Sequence, residues 1–110
     1  MILLGGTAFE GPVPLADWAP DRRATGVFAI CVPSEGDPGT AWQVLFVGEF
    51  DAAARTGEFA RHARFSAWTA AAGDMARLHL AFHNMPSQDS RHREAIVRSL
   101  VAEYHPPAND

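Results

Sequence analysis

The sequence has no lysine, one cysteine, one tyrosine and no long apolar run. Its longest continuous apolar stretch, residues 27–32, falls far short of the ~20 residues that a membrane-spanning helix requires. Residues 1–4 are too few and lack the basic flank of a secretory leader. A lone cysteine, Cys31, excludes an intramolecular disulfide and suits a reducing compartment, so the expected location is cytoplasmic, with no membrane partner. Cys31 lies inside an apolar run, where a thiol serves as a small buried hydrophobe rather than as a nucleophile. No internal repeat or low-complexity tract is present, which removes solenoid, fibrous and disordered classes. With lysine missing, all nine bases are arginine. The guanidinium is the better planar fork for phosphate or carboxylate, although arginine-rich codon usage produces the same bias.

What remains is the composition of one small globular domain, 47% hydrophobic and 20% charged. Thirteen acids oppose nine bases for a net charge of −4, so no strongly basic balance points to nucleic acid. The charge is uneven: residues 1–54 carry two bases against seven acids, residues 55–110 seven against six. A locally positive face is therefore allowed in the second half.

Glycines and prolines at 5, 6, 11, 12, 14 and 20 mark residues 1–25 as an irregular arm, whose Phe9, Val13, Leu15 and Trp18 pack on the domain. Residues 26–32 and 42–48 are β-branched and aromatic and read as two strands joined by a Gly- and Pro-rich loop. Nearly continuous apolarity in both predicts strands covered on both faces. The alanine-rich stretch from Glu58 to about Ala72 predicts one or two short helices. Leu78, Leu80 and Phe82 alternate with Arg77, His79, Ala81 and His83, the period of a strand. Ile96, Val97, Leu100, Val101 and Tyr104 form the apolar stripe of a last helix, with Ser87 as its N-cap candidate and Pro106 and Pro107 closing it.

Gly26-Val27-Phe28, Phe46-Val47-Gly48, a following helical region with Arg and His, and the ending Leu100-Val101-Ala-Glu-Tyr-His-Pro106-Pro-Ala-Asn109 together resemble the GIY-YIG nuclease family over residues 26–109. The resemblance implies an α/β fold, a small three-stranded sheet flanked by helices, with the arm of residues 1–25 packed on a GIY-YIG-like domain of residues 26–110. It also implies phosphodiester hydrolysis with one divalent metal. In that family a tyrosine from each tripeptide handles the attacking water, an arginine in the next helix offsets charge on phosphorus, and a glutamate on the last helix holds Mg²⁺.

Every one of those positions is altered here. Phe28 and Phe46 stand where the tyrosines belong and Val97 where the glutamate belongs. The arginine position falls on Thr56, so Arg55 or Arg61 serves only with a shift in helix register. The resemblance therefore implies a nuclease-like domain without catalysis or cofactor, left with nucleic-acid binding or a scaffolding role. A second reading is a divergent, active Mg²⁺-dependent phosphodiesterase in which Glu94, one helical turn before Val97 and ~4.5 Å along the axis, holds the metal. A third is a protein-interaction or oligomerisation module, motivated by the acidic first half and the apolar arm.

Arg61, His62, Arg64, Arg91 and Arg93, with His92 and Arg98, form a surface for DNA or RNA phosphates if their two helices are neighbours. The plainer reading is two solvated helix faces diluted by Glu58, Asp89 and Glu94. His79 and His83 have zinc spacing only on a helix; on a strand they sit ~13 Å apart and share no ion.

Overall fold

The computed structural model describes residues 2–17, 25–34, 42–50, 63–85 and 90–109. Five antiparallel strands form one sheet: β1 (Ile2–Leu4), β2 (Thr7–Pro14), β3 (Gly26–Pro33), β4 (Trp42–Phe50) and β5 (His79–Asn84), in the spatial order β1-β2-β5-β3-β4. The sheet curls into a half-barrel and carries two helices, α1 (Phe65–Ala72) and α2 (Ser90–Tyr104). Among the described residues no helix is long and apolar enough to cross a membrane.

The expected three-stranded sheet is thus corrected to five strands, and with it the GIY-YIG-like fold class. The two additional strands lie in the stretch read as an irregular arm. Gly5, Gly6, Gly11 and Pro12 sit where a hairpin tolerates them. Gly5 and Gly6, at φ 57° and 82°, form the two-residue turn between β1 and β2. Positive φ at both central positions suits the right-handed twist of the flanking strands. Gly11 and Pro12 fall where the β2–β5 register slips between Glu10 and Val13, so the missing proline N–H interrupts no regular ladder. Phe9, fully buried, anchors the hairpin.

β3 is central, pairing with β4 on one edge and β5 on the other, and residues 26–32 are all buried. Its alternating side chains feed two separate cores. Phe28, Ile30 and Val32 point to a cluster completed by Leu45, Phe46, Leu78, Leu80 and Trp68 and Ala72 of α1. Val27, Ala29 and Cys31 point the other way, to Leu4, Phe9, Val44, Val47, Ala81 and Leu100 of α2. The two helices therefore lie on opposite faces of the sheet. A bulge opposite Ile30 and Cys31 in the β3–β4 ladder turns Leu45 and Phe46 toward the same face.

α1 is short and ends at Gly73, while Arg77 ties that end to the sheet. Its Nη1 donates to the Ala72 carbonyl at 3.0 Å and its Nη2 to the Pro33 carbonyl at 3.3 Å. Asp74 accepts from the Ala76 N–H at 2.9 Å, starting the 3-10 turn that leads into β5. The start of the alanine-rich stretch at residues 58–62, the Ser87 cap and Trp18 lie outside the described residues.

Gly48 lies beneath two aromatic rings: a Cβ there would meet Phe46 at 2.7 Å and Phe28 at 3.1 Å. Gly48→Ala is expected to force those rings apart and cost about 1–3 kcal/mol, the range for overpacking a filled core. Chemical denaturation checks it; an unchanged midpoint would show that the rings have room to yield.

Candidate functional site

The two motif phenylalanines meet on the α1 face of the sheet. Phe28, on β3, and Phe46, on β4, have ring centroids 5.7 Å apart. Trp68 closes over both, at 6.0 Å from Phe28 and 5.2 Å from Phe46, and Phe65 stacks behind it at 6.1 Å. Phe28 is 1% exposed, Phe46 7% and Trp68 0%. Offset and edge-on ring contacts of this kind add to the apolar area they bury. The site positions that resemble the family's tyrosines are thus packed with hydrocarbon.

Val97 is not with them. It is half-buried against the core on the opposite face, beside Leu100, so the sheet separates it from Phe28 and Phe46. Glu94, one turn earlier on α2, is exposed. Arg55, Arg61 and His62 lie outside the described residues. Mg²⁺ favours carboxylate oxygens in an octahedral shell, and the donors on these described residues do not fit that demand. Val97 offers none, and Glu49 of β4 has its Oε1 3.8 Å from Nε of Arg93. Among the described residues no three His, Cys, Asp or Glu side chains gather into a group able to hold a metal.

The basic residues are likewise divided. Arg64 is exposed at the start of α1 on one face of the sheet; Arg91, His92 and Arg98 are exposed on α2 on the other. Arg93 is turned inward, its side chain 7% exposed, toward Glu49 of β4. The two histidines of β5 go separate ways. His79 donates from Nδ1 to the Arg77 carbonyl at 2.7 Å and packs on Trp42 with ring centroids 4.9 Å apart. His83 donates from Nδ1 to the Ala8 carbonyl at 3.0 Å and lies near Phe9.

One residue of the ending has a role that sequence reasoning did not supply. The side-chain amide of Asn109 accepts the Val47 N–H at 2.8 Å and donates to the Val47 carbonyl at 2.9 Å. An amide carries a donor and an acceptor side by side, as a peptide group does. Asn at that place was visible; its partner, 62 positions earlier in the chain, was not.

Cys31 is fully buried, and burial pushes its thiol from 9.0 up to about 12. The native protein is expected to resist thiol reagents at pH 8 and to react once denatured. Because the folded value exceeds the unfolded one, this thiol's contribution to stability is intact below pH 9.0 and is lost as pH rises toward about 12. Melts of the parent and Cys31→Ala across that window check it: the parent's stability should fall more steeply.

A second substitution probes the aromatic cluster. Phe28→Tyr would bury a hydroxyl among rings and is expected to cost about 1–3 kcal/mol by denaturant titration. A neutral result would reveal a polar cavity there.

Compared with family models, with curated proteins and with solved structures, the chain matches none.

Proposed function

We propose that this chain is a non-catalytic binding domain and that its partner is nucleic acid, held through phosphates. The observation that carries the first half is the aromatic closure at Phe28, Phe46 and Trp68, all 7% exposed or less. Where hydrolysis would need a hydroxyl to steer water and a carboxylate to hold a cation, these residues offer neither.

Supporting the second half, Arg91 and Arg98 are exposed seven residues apart on α2, which places them on one helix face ~10.5 Å apart along its axis. His92 is exposed beside them, and the first turn of α2 holds no acid. A positive helix end and fixed guanidinium groups both favour phosphate. Glu94 lies on the same flank and opposes them. The buried lone thiol accords with a reducing cytoplasm as the working compartment.

The test is fluorescence anisotropy with labelled duplex DNA, single-stranded DNA and RNA over a salt series. Two phosphate contacts give a slope of log affinity against log salt near −2 for duplex, about −0.9 for each contact. Arg91→Glu with Arg98→Glu is expected to abolish binding, and Glu94→Gln to strengthen it a few-fold. No binding at low salt would overturn the nucleic-acid half. Divalent-ion-dependent nicking of plasmid DNA that disappears in Glu94→Gln would overturn the non-catalytic half.

A protein-interaction role is the second reading, favoured by Leu3 and Val13 of the β1–β2 hairpin, 69% and 37% exposed. It predicts no affinity for any of the three nucleic acids.

A further inference from the structure

The chain reaches Asn109 by an unusual route. Leu100 of α2 is buried in the core on one face of the sheet, and Ala108 is buried in the core on the other. Between them the chain crosses the outer edge of β4, the last strand in the sheet order. The crossing is firmly seated. His105 turns out of the helix at φ 47° with its N–H on the Val101 carbonyl at 2.9 Å. Pro106 is fully buried, Ala108 is 4% exposed, and Asn109 then occupies both backbone groups of Val47.

The strand beneath is one that sheets pair with readily. β4 reads Trp-Gln-Val-Leu-Phe-Val-Gly-Glu-Phe, with one charge in nine residues, no proline and mostly aromatic and β-branched side chains. Such a segment on a sheet edge is a template for another strand. A second copy fits it by symmetry. Antiparallel pairing about Val47 would bring Glu49 opposite Leu45 of the other copy, so the two Glu49 carboxylates do not face each other.

We propose that residues 106–109 are an autoinhibitory strap: Asn109 stands in for a neighbouring strand at Val47 and so prevents β4 of one copy from pairing with β4 of a second. The strap resembles a strand only at one peptide group, yet that group lies at the axis of the pairing it blocks. Edge protection in sheets commonly uses charge, proline or a bulge; β4 carries a bulge at Leu45, and the side-chain amide of Asn109 covers the strand beyond it at Val47.

The experiment uses the full chain and two variants. Asn109→Leu removes both hydrogen bonds, while Asn109→Asp keeps the acceptor for the Val47 N–H and loses the donor. Light scattering after size exclusion, over a concentration series, reads self-association, and amide exchange at Val47 reads occupancy of the edge. The parent is expected to stay monomeric with Val47 protected. Asn109→Leu is expected to exchange fast at Val47 when dilute, and to regain protection as it dimerises with at least roughly tenfold tighter self-association than the parent. Asn109→Asp should fall between. A folded Asn109→Leu that stays monomeric throughout would overturn the proposal, as would one whose Val47 stays protected when dilute. A parent already paired through β4 would overturn it too. If neither variant folds, Asn109 serves folding rather than edge control, and the proposal fails.

Discussion

The structure depends on one constraint, that residues 26–32 of β3 have no surface of their own. β3 is paired along both edges and covered on both faces, so each side chain from Val27 to Val32 must find hydrocarbon. Alternation along a strand then divides the molecule. Phe28, Ile30 and Val32 commit one face to α1; Val27, Ala29 and Cys31 commit the other to α2. Everything that touches the candidate site follows from that division. It brings Phe28 to Phe46 and Trp68, and it sends Val97 and the exposed arginines of α2 to the far side.

The parts legible from sequence are those whose signal is local. The apolar runs at 26–32 and 42–48 lie within β3 and β4, the alternation over 77–83 occurs as β5 from His79 to Asn84, and the stripe from Ile96 to Tyr104 lies on α2. The parts that were not legible depend on distant partners. β2 was hidden because Gly11, Pro12 and Pro14 outweigh Phe9 in any local reading, whereas a bulge in the β2–β5 ladder accommodates Gly11 and Pro12, and Pro14 is the last residue of the strand. The face on which Val97 would lie was equally out of reach. Its place on α2 is a matter of period, but the side of the sheet that α2 covers is set by the path of the whole chain. The motifs named Phe28 and Phe46 but did not place Trp68 over them.

These features also bear on what the domain is for. Reactive chemistry needs unlike groups brought together in a cleft that holds some water, while a core excludes both water and unpaired polar atoms. At Phe28 and Phe46 the chain has a core. Its polar side chains do different work: Arg77 joins a helix end to a strand end, Tyr104 accepts the Gly5 N–H at 3.1 Å and so fastens α2 to the first hairpin, and Asn109 covers Val47. These three side chains each fasten one element of the fold to another.

The bulge beside Leu45 has a consequence for reading relatives of this chain. A strand without that extra residue, laid against β4 from its Trp42 end, would fall out of phase after Val44 and exchange inward positions for outward ones. Phe46 would then seem to face α2. Only a one-residue gap at the bulge restores the correspondence, so correct comparison of this strand hinges on an insertion that no turn or glycine announces.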